Sequence, residues 1–118
     1  MQTIVDINPL KPGKLQAYKD FITEYSGPRR EDFRAMLNRY GLRTVDVYFH
    51  QISGVDFVVV IHQAEDNARE LLKNFTSSTH PTEQWFVKQL NDLHYFEPLN
   101  GASNSATKLF SFDPVRNK

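Results

Sequence analysis

Residues Gly41 to Gln63 constrain the fold more than any other part of the chain. Leu42 to Gln51 and Val55 to His62 alternate with period two, and Ser53-Gly54 lies between them as a two-residue turn. Such a turn pairs Ile52 with Val55. One face of the resulting hairpin carries Val45, Val47, Phe49, Val58, Val60 and His62. The other carries Thr44, Asp46, Tyr48, His50, Phe57, Val59 and Ile61. Neither face is fully polar, so each needs a cover: helices on one side, something else on the other.

The 118 residues suit one domain, and 40% hydrophobic with 13% aromatic residues suffice for a core. Fourteen basic residues balance fourteen acidic ones. With no basic excess to neutralise phosphates, nucleic acid is not expected as a partner. No apolar run approaches the roughly 18 residues of a membrane span, so no membrane partner is expected. The opening residues Met1 to Asp6 lack a basic and then apolar leader, and a cytoplasmic location is expected. The absence of cysteine removes disulfides, thiolate metal ligands and a cysteine nucleophile.

Patterns on either side of the hairpin complete the outline. Thr3 to Asn8 reads as a short strand broken by Pro9 to Gly13. Leu15, Tyr18, Ile22 and Tyr25 form one stripe of an amphipathic helix, which Ser26-Gly27-Pro28 interrupts. Phe33, Met36, Leu37 and Tyr40 continue on a second helical piece, and Gly41 stands where a left-handed residue ends a helix. After the hairpin, Ala64, Ala68, Leu71, Leu72 and Phe75 form another stripe. Pro81 then opens a last helix with Trp85, Phe86, Leu90 and Leu93 on its apolar side. His94 to Glu97 reads as a final strand. The expected fold is α+β: a ferredoxin-like βαββαβ domain over residues 1–97, with a four-stranded antiparallel sheet and helices on one face. Residues 98–118 form a linker and tail. Leu109, Phe110 and Phe112 are too apolar for a free tail, so it is expected to dock on the body or on a partner subunit. A symmetric homodimer packing sheet against sheet is the simplest cover for the second face.

With these elements in order, the chain resembles the dimeric α+β barrel superfamily, which includes antibiotic-biosynthesis monooxygenases and sugar mutarotases. The spacing is most similar to L-rhamnose mutarotase-like proteins. It rests on Pro12-Gly13-Lys14 with Tyr18, Gly41 before a strand containing Val47-Tyr48, Phe57 to Ile61, and Trp85-Phe86, where the mutarotases have two tryptophans. The resemblance implies a homodimer with a small-molecule pocket between sheet and helices in each subunit, and usually no metal or other cofactor. One departure matters. Mutarotases carry a catalytic histidine one helical turn after the tyrosine matching Tyr18, and here that position is Ile22, which cannot move protons.

Three groups of residues could carry chemistry. Asp46, Tyr48 and His50 share one face of a strand. If that face lines a pocket, His50 with Asp46 supplies an acid–base pair beside Tyr48; the competing reading is a dimer interface, with Asp46 pairing with a residue such as the partner's Arg43. His80 stands just before a helix start with Trp85 a turn later, and with Tyr18 and Tyr25 they could wall a cavity for a ring-shaped or sugar ligand. The competing reading is a capping histidine and a core tryptophan. Arg29 and Arg30 oppose a helix dipole, so an anionic ligand or a partner carboxylate could hold them, against a plain solvated loop. The four histidines show no HxxxH or HxH pair, and no metal site is expected. The chain has no glycine-rich phosphate loop, GxSxG or HExxH. The leading expectation is a homodimeric small-molecule-binding protein. If it is an enzyme, it performs cofactor-independent acid–base chemistry of the mutarotase or isomerase kind on a sugar or other oxygenated ligand. Its expected catalytic residues are His80, Tyr18, His50 and Asp46, with Trp85, Tyr48, Tyr25 and Arg30 binding the ligand. The alternatives are a non-catalytic binding or regulatory dimer and a cofactor-free monooxygenase-like protein acting on aromatic rings.

Overall fold

A computed structural model describes residues 1–94 and 105–116. The elements run β1 (Gln2–Pro9), α1 (Leu15–Ser26), α2 (Arg30–Arg39), β2 (Leu42–Ile52), β3 (Val55–Ala64), α3 (Ala68–Leu72) and α4 (Pro81–Leu93). The strands form an antiparallel sheet in the order β1-β3-β2. This is a mixed α and β fold with helices against an antiparallel sheet. The sheet has three strands among the described residues. Of the expected fourth strand only His94 is described, and it makes an isolated antiparallel bridge to Leu10 at the outer edge of β1.

The hairpin has the register its turn dictates. Ser53 (φ 50°) and Gly54 (φ 79°) both adopt positive φ, as a two-residue turn that matches strand twist requires, and Ile52 faces Val55 across them. From there Phe49 faces Val58, Val47 faces Val60 and Val45 faces His62, and a bulge between Leu42 and Thr44 absorbs the end of the pairing. Strand β1 adds Asn8 beside Val58, Asp6 beside Val60 and Ile4 beside His62. Residues directly opposite share a face, so Ile4, Asp6, Asn8, Val45, Val47, Val58, Val60 and His62 form the inner face, under the helices. Val5, Ile7, Asp46, Tyr48, His50, Phe57, Val59 and Ile61 form the outer face.

The helices bury aromatic stripes against this inner face. On α1 the buried residues are Tyr18, Phe21 and Tyr25, at i, i+3 and i+7. Ile22, expected in the stripe, lies at its half-buried margin, because Phe21 fills the space toward Phe86 (ring centroids 4.8 Å apart). Gly27 makes the sharp break between α1 and α2 possible: a Cβ there would lie 2.9 Å from the Thr23 carbonyl oxygen. Gly41 (φ 67°) ends the second helical unit in the left-handed conformation. Phe75, 2% exposed, packs edge-on to Tyr40 and Phe86 beneath the helices. Burial of an aromatic side chain of this kind contributes about 1.5–3 kcal/mol.

One ion pair locks α2 to α4. Glu83, in the first turn of α4, is fully buried, and Arg39 at the end of α2 donates two hydrogen bonds to its carboxylate. Tyr40 Oη (3.2 Å) and Ser78 Oγ (3.1 Å) donate as well. Burial by itself pushes the Glu83 carboxyl up, but these donors more than reverse that and leave its pKa below the usual carboxylate range. The tail is described only in part. Ser105 and Ala106 lie along the free edge of β1, while Leu109, Phe110 and Phe112 are exposed on the single chain, Phe110 stacked on Phe112.

Replacing Glu83 with alanine removes the acceptor of four donated hydrogen bonds. The expected loss is at least about 2 kcal/mol, less than the roughly 3–5 kcal/mol for breaking a fully buried pair, because Arg39 keeps some access to water. Glu83→Gln is expected to lose less. Urea unfolding of both variants checks this; a Glu83→Ala loss below about 0.5 kcal/mol would show that the pair does not hold the helical layer.

Candidate functional site

Between the inner face and the helices lies a cavity. The space open to the centre of a water-sized sphere is about 60 Å³, room for several water molecules. Aromatic rings of α1, α2 and α4 (Phe21, Tyr25, Phe33 and Phe86) wall one side. The sheet supplies the floor, and there the polar groups converge: Asp6 and Asn8 from β1, His62 from β3, with Tyr18 from α1 and His94 at the end of α4. A mostly apolar cavity with a few convergent polar groups is the usual form of a ligand site.

These polar groups are not all satisfied by the protein. Asn8 is 1% exposed, and its Oδ1 is the one fully buried side-chain nitrogen or oxygen among the described residues with no hydrogen-bond partner. A buried amide oxygen left unpaired costs about 1–3 kcal/mol, and such an atom calls for an explanation. Each histidine uses one nitrogen for structure. His62 Nδ1 lies 3.0 Å from the Thr44 carbonyl oxygen and His94 Nδ1 lies 2.9 Å from the Pro9 carbonyl oxygen. A carbonyl can only accept, so in both rings Nδ1 carries the proton and Nε2 presents a lone pair. Burial holds both imidazoles below their ordinary pKa, only partly offset by these carbonyls and, for His62, by Asp6 and Asp46. Both are therefore neutral at pH 7, with an Nε2 that accepts a proton.

Asp6 stands on the same face as His62, two residue pairs along the sheet. Burial raises its pKa, against the lowering effects of a hydrogen bond from Ser105 and of His62 and Arg69 nearby. Tyr18 is buried edge-on to His94, ring centroids 5.7 Å apart. Its phenol is pushed well up by burial and by neighbouring Tyr25, whose own phenol rises to about 12 through burial. Both hydroxyls stay protonated across the physiological range. The cavity thus joins two neutral imidazoles, one buried carboxyl and two phenols.

The residues singled out from the sequence divide between three places. Tyr18 and Tyr25 line the cavity. Asp46, Tyr48 and His50 do share a face, but it is the outer one; all three are exposed and none borders the cavity. Arg43, considered above as a partner for Asp46 across a two-fold, pairs with Glu65 of its own chain at 2.5 Å. His80 is exposed and precedes α4 without capping it; instead its backbone N–H donates to Ser78 Oγ (3.1 Å), and its side chain borders a separate shallow groove with Arg39, Ser77 and Thr79. Trp85 packs on Phe21 and Phe86, and the Arg29 guanidinium lies 4.0 Å over its ring while also pairing with Glu24, so Trp85 closes the core from outside rather than lining the cavity. Arg30 is exposed beside Glu31.

Sequence reasoning passed over Asp6, Asn8, His62 and His94. The first two had a legible signal: polar residues alternating with Val5 and Ile7 in a strand whose other face must be buried. His62 was already on the valine face of the hairpin but was weighed only as a metal ligand. His94 had no such signal, since its place at the end of β1 depends on tertiary packing. Among the described residues, no group of three or more histidine, aspartate or glutamate side chains is placed to hold a metal ion, and no helix is long and apolar enough to cross a membrane.

Neither a family model nor a curated protein matches the sequence. The fold does have a solved counterpart. It is similar to the crystal structure of an L-rhamnose mutarotase from Formosa agariphila, with a TM-score of 0.59 and 15% sequence identity over 96% of this chain and 100% of that one. At that identity the likeness establishes a mutarotase-like fold.

The titrating groups give stability a signed pH dependence. Unfolded histidine takes up a proton near pH 6.5, whereas His62 and His94 resist it when folded, so both subtract stability as pH falls below about 6.5. Asp6 opposes them at lower pH, because its raised pKa lets the folded chain bind a proton first. On the alkaline side unfolded tyrosine ionises near pH 10, while Tyr25 holds its proton to about 12, so stability falls as pH rises between those values. Urea unfolding across pH should show that alkaline fall, and Tyr25→Phe should make it shallower. A curve flat from pH 10 to 12 would contradict the buried phenols.

Proposed function

We propose that this chain binds a small polyhydroxylated molecule in the cavity and moves protons on it without a cofactor, interconverting the anomers of a reducing sugar. The observation that carries this reading is the pairing of two free imidazole Nε2 atoms with an unsatisfied Asn8 Oδ1 in one apolar-walled cavity. The likeness of the fold to a mutarotase supports it at the level of architecture.

The chemistry suits the groups present. To open a cyclic hemiacetal, a base removes the anomeric hydroxyl proton, the bond from the anomeric carbon to the ring oxygen breaks, and an acid protonates that oxygen. Closure on the other face of the carbonyl reverses the transfers. His62 Nε2, uncharged at neutral pH, serves as the base. The Tyr18 hydroxyl provides the proton for the ring oxygen, and the Asp6 carboxylate faces the imidazole that takes up the other. Asn8 Oδ1 accepts from a sugar hydroxyl, and the aromatic wall packs against the C–H face of the ring. The His50 and Asp46 roles expected from sequence pass in this reading to His62 and Asp6. Tyr18 keeps its expected catalytic role, and Tyr25 its role in binding the ligand.

The outer face completes the proposal. Ile7 is 43% and Tyr48 58% exposed, beside half-buried Val5, Phe57, Val59 and Ile61, and a second copy packed sheet to sheet would cover them. Asp46, Tyr48 and His50 then contribute to the interface.

Anomer exchange measured by saturation-transfer NMR on a panel of aldoses and deoxysugars tests the activity. His62→Ala and His62→Gln are expected to slow exchange at least about 100-fold, while His50→Ala stays within about twofold of the parent. Exchange at the uncatalysed rate with every sugar, or full activity without His62, would contradict the reading. The same preparation should elute as a dimer on a sizing column, and a monomer would remove the role given to the outer face.

A further inference from the structure

We propose that residues 105 and 106 form a strap that completes the site, and that Ser105 is a positioning residue setting the protonation state of Asp6. This rests on the acid–base reading of the cavity above. Asp6 lies near the middle of β1, whose inner edge pairs with β3. Its outer edge would present unpaired backbone groups. Residues 105 and 106 occupy that edge: Ser105 bridges antiparallel to Asp6, and the Ala106 N–H donates to the Val5 carbonyl at 2.7 Å. Ser105, 99 positions along the chain from Asp6, then reaches its carboxyl with Oγ at 2.7 Å from Oδ1.

A third residue joins that hydrogen bond. Arg69, on α3, points Nη1 at the same Ser105 Oγ at 3.1 Å. A guanidinium has only donors, so Ser105 Oγ accepts from Arg69, and its single proton is left to donate to the Asp6 carboxylate. A hydroxyl that donates to it favours the ionised carboxylate over the acid. The other groups that act on Asp6 are His62 on β3, neutral and inside the cavity, and the charge of Arg69 itself. Tyr18 on α1 and His94 at the end of α4 complete the titratable lining, both uncharged. With the strap in place the Ser105 hydroxyl offsets part of the effect of burial and shifts Asp6, which faces His62, toward carboxylate. With it displaced, only burial and the more distant charges remain, and the carboxyl keeps its proton to higher pH. Segment docking and the acid–base state of the cavity are therefore one equilibrium.

The test uses the full chain and needs no substrate. Selective ¹³C labelling of aspartate carboxyls lets the Asp6 titration be followed by NMR in the parent, Ser105→Ala, Ser105→Thr and Ala106→Pro. Ser105→Ala removes the donor, Ser105→Thr keeps it, and Ala106→Pro removes the N–H that clips the strap to Val5. The Asp6 midpoint is expected to move to higher pH in Ser105→Ala and Ala106→Pro and to stay near the parent value in Ser105→Thr. In the anomer-exchange assay the acid limb of the rate profile should move the same way, with the plateau at higher pH kept. An unmoved Asp6 midpoint in Ser105→Ala, with a native amide spectrum, overturns the proposal. So does a rate loss that is uniform across pH. If the parent turns over no sugar, that result falls on the proposed function, and the carboxyl titration still decides the role of Ser105.

Discussion

The pairing register of β2 with β3 is the constraint on which the rest of the molecule depends. Two residues with positive φ, Ser53 and Gly54, put Ile52 opposite Val55, and every later pair follows. Side chains alternate along a strand, so a slip of one residue would exchange the faces. His62, Val45 and Val47 would turn outward, and Asp46, Tyr48 and His50 would meet the helices. The cavity, its neutral histidine and the composition of the outer face are consequences of one tight turn. A bulge between Leu42 and Thr44 shifts the register at the far end, where Gly41 also leaves the helix in a left-handed conformation.

The buried polar groups fall into two kinds, and the difference separates structure from function. Glu83 is fully buried and has four donated hydrogen bonds, from Arg39, Tyr40 and Ser78. Nothing is left over, and its effect is to hold α2 and α4 together over the sheet. Asn8 has no partner for Oδ1, and the two cavity histidines have spent only Nδ1. Hydrogen-bonding capacity left unused by the protein in a low-dielectric cavity is unfavourable for folding alone, and the proposed ligand site rests on it. By that criterion the exposed His50 and His80 carry little weight, since water satisfies them.

Much of the architecture was legible in the sequence because it follows from local rules. The period-two run from Leu42, the Ser53-Gly54 turn, Gly41 as a helix terminator and Pro81 at the first position of α4 are local signals, and the elements lie where they place them. The site was less legible. Asp46, Tyr48 and His50 attract notice because three polar groups alternate on one strand, but alternation says only that they share a face. It does not say which face meets the helices. That choice is made by β1, whose Ile4 sits against His62 from 58 positions earlier in the sequence, and by aromatic residues of α1 and α4 packing together. Ile22 shows the same limit on a helix: the stripe was read one position off because Phe21, not Ile22, meets Phe86. The contact of Ser105 with Asp6 has no local signature at all.

The central claim is that the functional face of this sheet is the inner one, with His62 and His94 held neutral and offering Nε2. Long-range ¹H–¹⁵N correlation of the imidazoles reads it directly. At pH 7 the account requires His62 and His94 as neutral rings protonated on Nδ1, titrating below about 6.5 and shifting when a sugar is added, while His50 and His80 do not respond to the sugar. Rings of His62 and His94 that are charged at pH 7, or a sugar-dependent shift confined to His50 or His80, would contradict it.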